Sequence, residues 1–349
     1  MGAPDSSGEG LSNSVLPDLG IARIFMTLQI GVVMDPIESI NVKKDTTLAM
    51  LLAAQRKGWS IKYMTQSDIY SLKGISRAKV RALIVEDNVK KWFQYGAYKD
   101  IELSELDVIL MRKDPPFNLD YIYTTYLLEQ AYINGTIVVN NPQSLRDCNE
   151  KMFATQFPQC CPSFLVSADP KRLKAFHEEY DDVIYKPLDG MGGSSIFRVK
   201  PGDANLSVII ETLTQNGVRQ IMAQRFLPDI VKGDKRILMI DGIPAPYALA
   251  RIPAIGESRG NLAAGGNGVA QPLSDRDLWI CDQVSTELQK KGLLFVGLDI
   301  IGDYLTEINV TSPTCIREID AAFGLDIAGD LMNTIEQKLH IRRVDGVRN

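Results

Sequence analysis

The sequence predicts an α/β N-terminal domain with a parallel sheet, followed by a pair of α+β subdomains. Three observations carry this. At 349 residues the chain is longer than a single hydrophobic core usually organises. It opens with a strand–helix–strand pattern, whose right-handed crossover implies parallel strands. Beyond residue 180 the strands come in hairpins joined by short glycine-containing turns, which is antiparallel pairing.

Residues 1–25 are rich in Gly, Ser, Pro and Asp and are expected to form a disordered tail. No basic residue precedes Arg23, so the tail does not read as a secretory signal. Thr27–Met34 is a strand ending at Asp35-Pro36. Thr46–Lys57 has apolar residues at helical spacing and stops at Gly58, and Trp59–Met64 is a second strand. Residues 66–100 form a strand-rich excursion. Val108–Met111 is a buried strand, Tyr121–Asn134 a helix, and Thr136–Asn140 a strand. Asp35, Arg112 and Asn140 end parallel strands and should gather at one sheet edge, where such sheets bind ligands; Asp35 and Arg112 are therefore substrate candidates.

From residue 145 the pattern changes. A helix carries Lys151, and strand Val183–Lys186 runs into a glycine-rich turn and then strand Ile196–Val199. Helix Leu206–Thr214 and strand Gln220–Phe226 follow. Lys235–Ile240 and Ala245–Arg251 make a hairpin about Asp241-Gly242. Residues 252–268 hold five glycines and almost no large apolar side chains, the composition of a lid or linker. Helix Asp275–Lys291 leads into a last hairpin, Leu293–Ile301 and Tyr304–Val310. The expected divisions are 26–148 for the N-terminal domain, 149–226 for a central subdomain and 227–340 for a C-terminal subdomain with the lid 252–268.

Composition narrows the function. Net charge is −5, so no nucleic-acid footprint is expected. No run of 18 apolar residues suggests a membrane span. The five cysteines form no Cys-x-x-Cys pair, and Cys160-Cys161 are vicinal, which fits a reducing cytoplasm. His177 and His340 are the only histidines, so a histidine relay or zinc centre is not expected. Both are expected at the surface.

The remaining polar signals suit phosphoryl transfer. In Gly190-Met191-Gly192-Gly193-Ser194-Ser195, glycines let backbone N–H groups approach an anion and the serines add donors. The turn is neither a Walker A loop nor a Rossmann fingerprint, and taken alone it reads equally as a plain tight turn. Lys186, at the end of an apolar strand, either snorkels or pairs with an anion. Lys151 is a second phosphate candidate against the usual solvated helix face. Arg112, Arg236, Arg251 and Arg259 suit carboxylate or phosphate, though each alone reads as a surface charge.

Glu307 and Asn309 lie two apart on a strand and so share a face, as hard-cation ligands would. The ordinary alternative is a polar edge strand. Asp299 joins them only if it pairs opposite Glu307. A two-residue turn would put it opposite Thr306; an odd loop Gly302-Asp303-Tyr304 gives the required register, and that register is the expectation.

Taken together, GVVMDPI (31–37), LMRKDPPF (110–117), NNPQSLRDCNEK (140–151), YKPLDGMGGSSIFRV (185–199), GDKRI (233–237), RGNLAAGG (259–266) and GLDIIGDYLTEINVTSPTCIREI (297–319) resemble the ATP-grasp ligases, and more narrowly their bacterial glutathione synthetase branch. The resemblance runs from about residue 28 to 338. It implies an ATP-grasp pair after the N-terminal domain. It also implies ATP-dependent joining of γ-glutamylcysteine and glycine through an acyl phosphate, in a cytoplasmic homotetramer. Another ATP-grasp carboxylate–amine ligase, of D-alanine–D-alanine or glutamylase type, is the alternative.

By the same resemblance, Lys151 and Lys186 hold ATP phosphates beneath Gly190, Gly192, Gly193 and Ser194. Gln224, Arg225, Phe226 and Leu227 contact adenine, and Asp234 the ribose. Asp299, Glu307 and Asn309 bind Mg²⁺, with Mn²⁺ as a substitute. Arg236 stabilises the transferring phosphoryl group. Arg112, Arg251 and Arg259 hold the peptide and its acyl phosphate, with Arg251 and Arg259 counted as catalytic too. Ser312 and Thr314 are the candidates for the glycine pocket.

Overall fold

The computed structural model describes residues 1–2, 27–190, 192–254, 260 and 267–346. Most of the expected tail and most of the expected lid, Arg259 included, lie outside them, as does Met191.

The first sheet grows from β1 (Gln29–Val33), whose alternate and continuous apolar residues are buried on both faces. Asp45 caps α1 (Thr46–Arg56) by accepting from Leu48 N, and α1 returns the chain to β2 (Ser60–Met64), parallel to β1. The excursion becomes β3 (Ile69–Leu72), β4 (Ile75–Val85) and β5 (Phe93–Glu102), all paired antiparallel through β4, which also pairs antiparallel with β2. The chain then crosses to the other side of β1. There β6 (Val108–Met111), α2 (Leu119–Ile133) and β7 (Ile137–Val139) complete the parallel part in the order β2-β1-β6-β7. The reversal of direction falls between β1 and β6, so their carboxyl ends open a crevice there.

Asn140, just past β7, fastens this sheet to the rest. Its buried amide donates to Phe295 O and Val310 O, both at 2.7 Å, and accepts from Phe295 N at 2.8 Å. Two short helices follow, α3 (Pro142–Asp147) and α4 (Glu150–Ala154).

The second sheet is antiparallel, in the order β10-β9-β11-β8, from β8 (Phe164–Ser167), β9 (Val183–Pro187), β10 (Phe197–Val199) and β11 (Ile221–Arg225). Helices α5 (Pro170–Tyr180) and α6 (Leu206–Thr214) cover one face, where Tyr185, Val183, Ile210 and Leu173 make a small core. His177 contributes here. It is buried beside the Tyr185 ring, contrary to the surface position expected, because the other face of α5 carries the charges.

The third sheet runs β14-β13-β12-β15-β16. Its members are β12 (Asp234–Ile240), β13 (Ile243–Ile252), β14 (Asn267–Pro272), β15 (Phe295–Ile301) and β16 (Tyr304–Asn309). Asp241 and Gly242 make the expected two-residue turn, both at positive φ. Helix α7 (Asp275–Lys290), with Ser274 and Asp277 forming a capping box, packs Ile280, Val284 and Leu288 with Leu298, Ile300 and Ile308 of the sheet in a common core. Two helices not anticipated from the sequence, α8 (Ile316–Phe323) and α9 (Ile327–Gly346), close the chain against α1.

The last hairpin corrects one expectation. Ile301 pairs with Tyr304, so the turn is the two-residue Gly302-Asp303, with Gly302 at φ +57°, and not the odd loop. Asp299 nevertheless pairs with Glu307, because the register shifts between Asp299 and Ile300. The extra residue is Thr306, whose hydroxyl donates to Asp299 O at 3.0 Å. A β-bulge re-aims the strand here.

Candidate active site

The second and third sheets face one another across a cavity of about 350 Å³. Strand periodicity assigns its lining. On β9, Ile184 and Lys186 point into it, while Tyr185 between them points to the core and donates its hydroxyl to Leu173 O. On the third sheet the inward row is Arg236 of β12, Asp299 of β15 and Glu307 of β16, each directly opposite the next. Asp234 and Arg251 form a second row on β12 and β13.

This floor is a set of buried ion pairs. Asp299 Oδ1 accepts from Arg236 Nε at 2.5 Å, and its Oδ2 accepts from Arg236 Nη2 at 2.9 Å and lies 2.9 Å from Arg251 Nη2. Arg251 also donates to Asp234 at 2.5 Å. Burial would raise the Asp299 pKa, but the two guanidiniums outweigh it and hold the carboxyl well below the usual range. Asp234 goes the other way: burial dominates and lifts it to about 6 despite Arg251. Its Oδ1 is buried without a partner among the described residues. Gly297 makes room for this arrangement, since a Cβ there would meet Arg236 Cδ and Pro313 Cβ at 2.9 Å. Arg236 and Arg251 are thus core residues and not the surface charges that either suggests alone.

Opposite the floor stand the two lysines. Lys151 is 2% exposed, so the solvated helix face is excluded. Its ammonium meets Glu150 at 2.5 Å, Gly190 O at 2.9 Å and Glu307 at 3.4 Å. Burial would lower its pKa, but Glu307 and Glu150 reverse that and hold it above the ordinary value. Lys186 lies 3.8 Å from Glu307, and there burial wins and the pKa falls. Glu150 was not anticipated, and burial raises its pKa; its only sequence signal is its place beside Lys151 at the start of α4. Asn149 ties α4 to the glycine turn, accepting from Lys151 N and Met152 N and donating to Leu188 O.

Gly190, Gly192, Gly193 and Ser194 line the cavity above the lysines. Gln224, Arg225, Phe226 and Leu227 line its apolar end with Ile184, Ile196 and Ile230, a slot suited to a flat heterocycle. Asn309, Ser312 and Thr314 line it as well, as does Cys315, whose thiol burial pushes up. Two expected residues lie elsewhere. Arg112 is buried behind the wall, donating to Thr47 Oγ1 at 3.1 Å and to Pro313 O at 2.9 Å, and so supports the 311–315 segment. Asp35 lines a separate hollow.

Among the described residues no three Asp, Glu, His or Cys side chains converge as a metal site. The set here is two carboxylates and an amide, with Asn309 spending Nδ2 on Gly297 O and keeping Oδ1. That donor set fits a hard cation whose remaining ligands are water and phosphate oxygens.

Two antiparallel sheets clasping a cavity with lysines, a glycine turn and acidic strands define an ATP-grasp enzyme. Among solved structures, the D-cycloserine synthetase DcsG matches with a TM-score of 0.63 at 13% identity, over 89% of this chain and 99% of that one. The prokaryotic glutathione synthetase N-terminal domain matches residues 28–146, and the prokaryotic glutathione synthetase ATP-grasp domain matches residues 150–324. Glutathione synthetase of Pseudomonas syringae pv. tomato is 63% identical over 91% of this chain and all of its own length, and that of Pseudomonas putida is 63% identical over the same shares. The chain belongs to the prokaryotic glutathione synthetase family.

Proposed function

We infer that the protein joins γ-glutamylcysteine to glycine, forming glutathione while ATP becomes ADP and phosphate. Family membership carries the substrates, and the cavity supplies the chemistry. The domain divisions at 148/149 and 226/227, the tetrameric assembly and a cytoplasmic setting belong to the same reading. The five free cysteines agree with that setting.

The cysteinyl carboxylate attacks the γ-phosphorus, the bond to the β–γ bridging oxygen breaks, and an acyl phosphate forms. The glycine amine then attacks the acyl carbon, loses a proton and expels phosphate. Neither step needs a nucleophile from the protein. Its contribution is placement and charge, and holding reactants in line can lower the barrier by ~7–11 kcal/mol. Lys151 and Lys186 meet the phosphates beneath the glycine turn. Asp299, Glu307 and Asn309 would hold Mg²⁺, which when bound neutralises charge on the transferring group. Arg236 and Arg251, already anchored on Asp299, present guanidinium edges where the acyl phosphate forms.

The test is oxygen transfer. With ¹⁸O in the cysteinyl carboxylate, released phosphate should gain one ¹⁸O per turnover. Unlabelled phosphate, or label appearing in AMP, would overturn the acyl-phosphate route.

A further inference from the structure

Phe226 walls the apolar end of the reaction cavity, and its ring is held from outside that cavity. The guanidinium of Arg198 lies over the ring, with Cζ 3.5 Å from its centroid. Arg198 of β10 pairs with Ile184 of β9, so the two side chains leave the sheet on the same face. Ile184 and Phe226 line the cavity and Arg198 does not, which places the guanidinium against the outer side of the ring. Asp182, just before β9, fixes this arrangement twice. Its carboxylate takes the guanidinium side-on, Oδ1 accepting from Nε at 2.9 Å and Oδ2 from Nη2 at 2.6 Å. Its carbonyl accepts from Phe226 N at 2.8 Å. One residue thus ties down both the main chain of Phe226 and the cation on its ring.

A phenylalanine just past the end of a strand changes rotamer readily unless something packs on it. Here a planar cation stacks on one side of the ring and leaves the rest of it to the cavity. A guanidinium gripped by a carboxylate makes a firm brace, because the two parallel hydrogen bonds fix its plane as well as its charge. We propose that Arg198 is a positioning residue for the nucleotide: with Asp182 it holds Phe226 in the orientation that receives the base, and so sets affinity for the base without touching it. The assignment rests on the functional reading above, which supplies the nucleotide. Lys151, Lys186 and the glycine turn take no part in the brace. A change at Arg198 should therefore be felt by ligands that carry a base and ignored by those that carry phosphate alone.

The experiment compares two ligands by titration calorimetry in the presence of Mg²⁺: ADP, which carries the base, and inorganic tripolyphosphate, which does not. Arg198→Met keeps an unbranched apolar stem and removes the charge and the fork. It should weaken ADP about tenfold and leave tripolyphosphate within about twofold. In steady state the KM for ATP should rise by a similar factor, with kcat and the KM values for γ-glutamylcysteine and glycine within about twofold. In a Phe226→Leu background, Arg198→Met should cost ADP no more than about twofold further, because the ring it acts through is gone. Asp182→Asn keeps the carbonyl that holds Phe226 N and loosens the guanidinium. It should weaken ADP about threefold with tripolyphosphate unchanged, so the test survives if Arg198→Met fails to fold. Equal losses for ADP and tripolyphosphate, ADP affinity unchanged in both single variants, or a full tenfold loss in the Phe226→Leu background would overturn the positioning role. Wild-type protein that bound no adenine nucleotide would instead overturn the functional reading on which it rests.

Discussion

Replacing Asp299 by Asn tests whether the ion-pair floor is structural as well as chemical. The carboxylate is 3% exposed and engages two guanidiniums through contacts of 2.5, 2.9 and 2.9 Å. Asparagine nearly preserves the shape but removes the charge, leaving Arg236 and Arg251 buried and facing each other with Asp234 alone to balance them. Breaking a buried pair by removing one partner costs about 3–5 kcal/mol. At roughly 1–2 °C per kcal/mol for a chain of 349 residues, the melting temperature should fall by about 5 °C. Urea unfolding followed by circular dichroism measures the loss. Adding Arg251→Met should recover part of it, because the double variant again balances Arg236 against one carboxylate. A single variant within about 1 kcal/mol of wild type, or a double variant that simply adds both losses, would refute the reasoning.

Three further outcomes follow from the same geometry. Glu307→Gln should lower turnover by about 10²–10³-fold or more while circular dichroism stays native, and near-normal rates would remove Glu307 from the phosphoryl-transfer site. Asp234, raised from 3.8 to about 6, binds its proton more tightly folded than unfolded. Its contribution to stability therefore falls as pH rises from about 4 to about 6, then levels off. Asp234→Asn should flatten that part of the stability–pH curve, and an unchanged slope would contradict the shift. Asn140→Ala should cost a few kcal/mol, since it strips three buried hydrogen bonds at about 1–3 kcal/mol for each group left unmatched. Hydrogen exchange should then accelerate at Phe295, and protection equal to wild type would argue against the fastening role.

Much of this architecture was legible because local rules act without competition. The β1-α1-β2 unit has a helix cap, an apolar period and a stop at Gly58. The Asp241-Gly242 turn has the residues its backbone demands. Lys186 and Glu307 were legible as chemistry because charge at the end or edge of an apolar strand needs an explanation. What escaped depends on distance or on cancellation. The bulge at Thr306 restores a register that the turn alone would spoil, and residue spacing cannot distinguish one extra residue in the turn from one in the strand. The Arg236–Asp299–Arg251–Asp234 network joins residues up to 65 positions apart, so each of its two arginines looked like a surface charge by itself. Strand β14 escaped because Asn267-Gly268-Val269-Ala270 has weak strand propensity and is recruited by pairing with β13. The burial of His177 follows from which side of α5 meets Tyr185, and the charged residues around it obscured that.

The most direct test of the central claim is product formation under defined conditions. Purified protein is supplied with ATP, Mg²⁺, γ-glutamylcysteine and glycine, and peptide and ADP are counted by mass spectrometry. Glutathione and ADP should appear in equal amounts, with no dipeptide when D-alanine replaces both γ-glutamylcysteine and glycine. Release of ADP without glutathione, or efficient D-alanyl-D-alanine synthesis, would contradict it.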